Sequence, residues 1–353
     1  MRSHSERRIA VGGGRFLVAT PVFDSYWRFA AARQDLFMNR VTGRSPPWTT
    51  DPVIAAHRFT NAYRAADRVS QYLIRQVIYA GSQGAEEVFF RTLLFKLFNR
   101  IETWELLERE FGTVTWRGFD AERFARVLDR AMARGTRLYS AAYIMPSPQF
   151  GSPRKHRNHL QLLAQLMKQG VPRKVGGAKS LEEVFVCLRD CPSFGDFLAF
   201  QFAIDLNYSE VIDFSEMDFV VAGPGARDGI SKCFSDTSAL TEAEVITQVA
   251  AMAGDEFKRL GLRFKDLWGR SLQLIDCQNL FCEVSKYARV VHPDVAGISG
   301  RTRIKQKYSL NPMPLPQFYP PKWGLKVPSL SAERAPLLPA PTQLPLMPQM
   351  VAG

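Results

Sequence analysis

Between residues 55 and 79, Phe59, Ala62, Ala66, Val69, Leu73 and Val77 recur every three or four positions, with Asn61, Arg64, Arg68 and Arg75 on the other side. That period predicts one helix with a buried stripe and a cationic face. Residues 86–109 repeat the design: Leu94, Phe98 and Ile101 face inward, while Arg91, Phe95, Asn99 and Glu102 stack at helical spacing, and Gly112 stops the run. Asp120 is placed to cap a third helix through Arg134, with Glu122 and Arg126 supporting it one turn apart. The same reading predicts helices over 158–169, 180–189, 195–206, 241–260 and 264–290, and short strands over 16–19 and 139–144. The expected fold class is mainly α, a multi-helix globular fold with few short strands. Its divisions are a basic segment (1–50), two helical subdomains (51–175 and 176–300), and a basic then proline-rich tail (301–353).

Polar residues inside apolar runs carry the next signal. Asp205 lies within Phe202-Ala203-Ile204-Asp205-Leu206-Asn207-Tyr208, where a carboxylate must find a partner to be buried. Arg64 or Arg91 can supply one. Further on, Asp276, Asn279, Glu283, Lys286 and Tyr287 fall on one helix face. Two carboxylates, an amide, an amine and a phenol on one face can read a base edge and move protons. They can equally join helices as a buried polar network.

Two turns separate these helices. In Leu188-Arg189-Asp190-Cys191-Pro192-Ser193-Phe194-Gly195, the proline and glycine bracket a tight turn whose amides can meet a phosphate oxygen. The nine residues 191–199 resemble the helix-hairpin-helix element of the DNA glycosylase superfamily. Ser193 stands in place of the first glycine, and Leu198 in place of a hydroxyl residue. The resemblance implies backbone contact to DNA at Pro192, Ser193 and Gly195, and a catalytic aspartate some twenty residues downstream. Asp213 and Asp218 lie there, and Asp218, which abuts an apolar run, is the preferred match. The second turn runs from Gly223 through Pro224, Gly225, Ala226, Arg227 and Asp228 to Gly229, and lacks the strand-helix-strand flanks of a dinucleotide loop. It reads as a sharp connection between helices, or as a backbone cradle at Gly223 and Gly225 for a phosphate or flipped base.

Five blocks taken in order, residues 58–74, 90–107, 197–209, 218–234 and 274–289, resemble the helical domain associated with hydroxymethyluracil DNA kinases. That family is grouped with glutamyl/putrescinyl-thymine pyrophosphorylases. The likeness spans residues 16–306 and implies a role in handling modified thymine in DNA. It does not assign the reaction. The candidate catalytic groups are Asp218, Asp276 and Glu283. The candidate base-binding groups are Asp205, Asn207, Tyr208, Gly223, Gly225, Asn279, Lys286, Tyr287, Asn61, Arg64 and Arg91. Chemistry at a thymine substituent is blocked inside the duplex stack, so the base would be extruded into such a site.

Charge sharpens the expectation of a DNA partner. Of a net +12, residues 301–353 hold +6 and residues 1–50 hold +5, which leaves the centre nearly neutral. In Arg301-Thr302-Arg303-Ile304-Lys305-Gln306-Lys307 the cations alternate and would line one edge of an extended strand, suited to phosphates. The run from residue 328 onward has neither helical nor strand period and is expected to be disordered.

The remaining patterns exclude. No Gly-x-x-x-x-Gly-Lys-Ser/Thr loop occurs, so the chain carries no P-loop kinase module; phosphorylation of a base would fall to a separate kinase. The five cysteines form no Cys-x-x-Cys pair, and neither they nor His156 and His159 suggest a metal site. No cofactor is expected. The N-terminus lacks an apolar signal core and no apolar run reaches membrane length, so the expected location is cytoplasmic. Three functions stay open: an enzyme that transfers to or eliminates from a modified thymine, a glycosylase that excises it, and a non-catalytic DNA-binding partner of a base kinase.

Overall fold

The computed structural model describes residues 7–142, 144–309 and 317–328. The proline-rich run expected to be disordered lies, beyond Pro328, outside the described residues. Strands β1 (Arg7–Ala10) and β2 (Phe16–Ala19) form an antiparallel hairpin. The long helix α1 (Pro21–Val41) follows, capped by the Thr20 hydroxyl with Pro21 at its first turn. Its apolar side chains, Phe23, Tyr26, Trp27 and Phe29 among them, cover more than one face. A helix buried on several sides shows no amphipathic stripe, and periodicity therefore passes it over.

The single helix expected over 55–79 is broken into pieces. Helix α2 (Pro52–Ala56) ends before an irregular stretch, a 3-10 turn (Arg64–Ala66), the short α3 (Arg68–Tyr72) and a π-helix (Leu73–Ile78). Local side-chain bonds replace the helical ladder there: Asn61 donates its amide to the Ala66 carbonyl at 2.7 Å, and its backbone N–H donates to Asp67 at 2.8 Å. The run 86–109 likewise divides, into α4 (Ala85–Phe98) and α5 (Ile101–Phe111), because Asn99 adopts a left-handed conformation at φ 49°.

Helices α6 (Ala121–Ala133), α7 (Lys155–Lys168), α8 (Val171–Gly176), α9 (Leu181–Arg189) and α10 (Asp196–Asn207) follow. Asp120 caps α6 and Ser180 caps α9 through their side chains. The described residues of the segment 139–144 form no strand. The Gly-Pro-Gly segment starts a helix, α11 (Pro224–Cys233), which leads into β3 (Phe234–Asp236), the third strand of the sheet. The run 241–260 holds α12 (Glu242–Ala251) and α13 (Ala253–Arg259). The last long helix, α14 (Leu274–Val291), begins ten residues later than its apolar pattern suggests, where Gln273 and Asp276 cap each other reciprocally. Among the described residues the fold is mainly helical with one small sheet.

Helices α1, α11, α12 and α14 pack as one group, and α4 gathers α7, α8 and α10 in another. Helices α11 and α14 lie closest, since Gly229 faces the Phe281 carbonyl where any Cβ would collide with backbone. Gly229→Ala is expected to lower stability by roughly 1–3 kcal/mol or more through overpacking. A thermal melt checks this, and an unchanged midpoint would show that α11 can move off α14.

Candidate functional site

Where the Arg64 turn, α10 and the start of α14 meet, polar groups collect inside the core. Arg64 is buried and reaches in four directions. Its guanidinium pairs with Asp205 at 2.8 Å, donates to the Gln201 side chain at 2.9 Å and donates to the Tyr208 hydroxyl at 2.9 Å. Its backbone N–H donates to Asp276 at 2.7 Å. Lys96 approaches Asp205 from α4 at 3.2 Å and donates to Asn99 at 2.9 Å. Asp205 thus carries one negative charge between two buried cations. Burial lowers the Lys96 pKa, and the charge of Asp205 opposes the fall.

Asp276 receives a second N–H, from Gln273 at 3.0 Å. Even so, burial and then the neighbouring charge of Glu216 push its carboxyl up to about 7, against the two backbone donors and Arg270. Burial also raises Glu216, which pairs with Arg270 at 3.1 Å. Its other oxygen, Glu216 Oε1, is buried with no hydrogen-bond partner among the described residues. Two buried carboxyls of raised pKa thus lie near enough for the charge of Glu216 to act on Asp276, with Arg270 acting on both.

An aromatic wall covers this cluster. Trp323, in a short 3-10 turn (Pro321–Trp323), lies over the Arg270 guanidinium at 3.8 Å and meets Tyr208 edge-on at 5.7 Å. Tyr319 stacks on Trp323 and borders Trp268. Lys322 ties the segment down by donating to the carbonyls of Ser209 at 2.7 Å and Ile212 at 2.6 Å. Such a wall excludes water and strengthens the charges beneath it.

The other candidate residues spread over several places. Glu283 accepts from the Thr60 N–H at 3.0 Å and pairs with Lys286 at 2.7 Å, two turns along α14 from Asp276. Tyr287 donates to Asp51 at 2.7 Å, and Asn279 is half-buried between these groups. Asn207 clamps the following loop through both the N–H and the carbonyl of Phe214. Arg91 closes the π-helix by donating to the carbonyls of Val77, Ile78 and Ser82, and forms no ion pair with Asp205. Gly223 and Gly225 sit against Phe197 and Cys282, so their missing side chains let α11 approach its neighbours. Asp218 is exposed on a turn, while Glu216, two residues earlier, is the acid that enters the cluster. No period marks Glu216, which stands between Asp213 and Asp218 in the same acidic loop, so nothing in the sequence singles it out.

The Pro192 turn joins α9 to α10, with Pro192 and Gly195 exposed and Ser193 at φ 68°, the conformation that glycine ordinarily supplies. It lies roughly 15 Å from Asp205 along α10. A cleft of about 700 Å³ borders it between α8 and α9, but its charged groups, such as Lys174, Glu182 and Glu183, belong to the surface and not to the Asp276–Glu216 site. Arg301, Arg303, Lys305 and Lys307 are all exposed. No cluster of His, Cys, Asp and Glu among the described residues can hold a metal, and none of the described helices is long and apolar enough to cross a membrane.

The buried charges and the five sequence blocks fall within one continuous stretch of the chain, residues 20–297, that a family model matches. A 5-hmdU DNA kinase of Bacillus phage SP10 is 27% identical over 286 residues, covering 75% of this chain and 45% of the relative. The chain thus spans less than half the length of that relative. No solved structure matches. The family model described as "5-hmdU DNA kinase, helical domain" matches residues 20–297, which include Arg64, Asp205, Glu216 and Asp276. The chain therefore belongs to the 5-hmdU DNA kinase helical-domain family.

Proposed function

We propose that the chain acts in hypermodification of thymine in DNA, holding an extruded base of the hydroxymethyl type at the Asp276–Glu216 site while a group is transferred to it or eliminated from it. The observation that carries this reading is the carboxyl pair itself. A carboxyl with a pKa near 7 can take or return a proton at neutral pH, and buried perturbed acids concentrate at reacting sites. A displacement at the exocyclic carbon of the base would give Asp276 the proton lost by the incoming nucleophile. Arg270 and Arg64 would meet the negative charge of the leaving group. The half-buried Trp323 would supply the aromatic surface against which an extruded pyrimidine lies.

A second reading is favoured by the absence of a P-loop from this sequence. Here the chain binds DNA and presents the base to a separate kinase. Nucleoside mass spectrometry separates these readings, with hydroxymethyluracil DNA incubated with the chain alone and with a base kinase. A new base formed by the chain supports transfer or elimination, and abasic sites point instead to a glycosylase. A change that needs both proteins supports presentation. Unchanged nucleosides in every mixture, with equal affinity for modified and unmodified DNA, would reject the proposal.

A further inference from the structure

We infer that the solvent side of α6 is a DNA-backbone surface, on which Arg123, Arg126, Arg130 and Arg134 neutralise the phosphates of a strand without reading its bases. Only the choice of DNA as the polyanion rests on the function proposed above. The nearly neutral centre of the chain conceals this face. Residues 117–157 hold nine Lys/Arg and three Asp/Glu, a net +6, which is half the charge of the whole chain.

The four arginines recur at three- and four-residue spacing and are all exposed. At 3.6 residues per turn they fall within an arc of about 80° and form one row along the helix. At 1.5 Å per residue the row is about 16 Å long, which matches about five nucleotides at 3.4 Å each. Arg137, just past the helix, is exposed and donates to the Tyr139 carbonyl at 2.9 Å, while Lys155 lies 4.4 Å over the Tyr139 ring. The first residue of α7 thus adds its charge at the end of the row.

The acids of this region are engaged elsewhere. Where α6 meets α7, Asp129 pairs with Arg154 at 2.5 Å and Arg157 at 2.6 Å and bonds His156 at 2.7 Å, and Glu122 pairs with Arg157 at 3.0 Å. Among the described residues the row has one carboxylate partner, Glu110, 3.4 Å from Arg130 in an exposed pair of little worth. Arg134 donates to the Arg130 carbonyl at 3.3 Å, and Arg123 lies 5.7 Å from the centre of the Phe111 ring. Arg126, Arg130 and Arg134 follow one another a turn apart, an arrangement in which like charges repel. The helix dipole favours Arg130 in the last turn but disfavours Arg123 in the first. Helix stability therefore does not account for the row. A strand of evenly spaced phosphates laid along it offsets each of these repulsions, and guanidinium forks match phosphate oxygens.

The test is fluorescence anisotropy of the full chain with labelled duplexes, unmodified and hydroxymethyluracil-containing, across a salt series, with a poly-aspartate peptide as competitor. The triple variant Arg123→Gln/Arg126→Gln/Arg130→Gln is expected to lose roughly tenfold or more in affinity for both duplexes alike and about two to three from the salt slope. Arg126→Gln alone is expected to lose about one, which keeps the test decisive should the triple variant not fold. Arg75→Gln, an exposed change on the π-helix, removes the same charge and is expected to leave the slope as it is. Thermal midpoints of the α6 variants should be unchanged or raised, since like charges have been separated. An unchanged slope in Arg126→Gln and in the folded triple variant, or a wild type that binds neither duplex, would overturn the inference. Equal losses in Arg126→Gln and Arg75→Gln would overturn it too, by making net charge the cause. Poly-aspartate binding that the triple variant loses while its DNA slope stays unchanged would overturn it and assign the face to an acidic protein. A slope that falls equally on the two duplexes upholds it even where modified and unmodified DNA bind alike and the base chemistry proposed above fails.

Discussion

Asp205→Ala is expected to destabilise the fold by roughly 3–5 kcal/mol, read as a fall in the midpoint of urea denaturation. Asp205 is fully buried on α10 and bonds both Arg64 and Lys96, so its removal leaves two cations in the core without their shared carboxylate. The burial that already lowers the Lys96 pKa would then act unopposed by that charge. Arg64 also fixes Gln201 and Tyr208, and the loss would loosen the wall of the candidate site. Adding Lys96→Met to the Asp205→Ala chain should recover part of the stability, because it removes one of the stranded charges. A single-variant loss below about 1 kcal/mol would show that these cations find water and that the pairing is dispensable.

The second large effect is a dependence on pH centred on Asp276. Its carboxyl has an ordinary pKa of 3.8 and rises to about 7 in the folded chain. Between these values the folded protein holds a proton that the unfolded chain has released, so this group makes stability fall as pH rises from about 4 to about 7. The full penalty, on the order of a few kcal/mol, is present above pH 7 and absent below pH 4. Glu216, raised by burial in the same direction, adds to the slope. Asp276→Asn cannot ionise and should flatten that part of the curve, as measured by denaturation at a series of pH values. A variant curve parallel to the wild type would mean that Asp276 titrates normally. On the proposed function the same exchange should lower turnover by roughly 100- to 10 000-fold, and the wild-type rate should rise with pH through about 7. Retained turnover with a flattened stability curve would make Asp276 a structural acid.

Much of this architecture is legible from short-range pattern. Helix α6 has a clear apolar stripe and Asp120 at its cap, and α9 has Ser180 in the same role. The need of Asp205 for a cationic partner also follows from its apolar neighbours, and Arg64 meets it. Helix α1 escapes because its apolar groups spread over more than one face, which blurs the period. The break at Asn61 escapes because its side chain bonds a backbone carbonyl that the helical ladder would otherwise use. Among the acids after the Pro192 turn, spacing favours Asp218, yet that group is exposed while Glu216 turns inward to Arg270. Counting residues along a loop cannot distinguish two acids two positions apart when their directions are set by what packs around them.

By itself the sequence determined the mainly helical class, the caps, the tight turn before α10 and the family, because these depend on residues within a few positions of each other or on their order along the chain. Tertiary structure decided which acids share a low-dielectric space. Arg64 meets Gln201 across 137 positions and Asp276 across 212, and the proton affinity of Asp276 is set by that burial and by Glu216. Desolvation and charge pairing act through space, so they are fixed only once distant segments have packed.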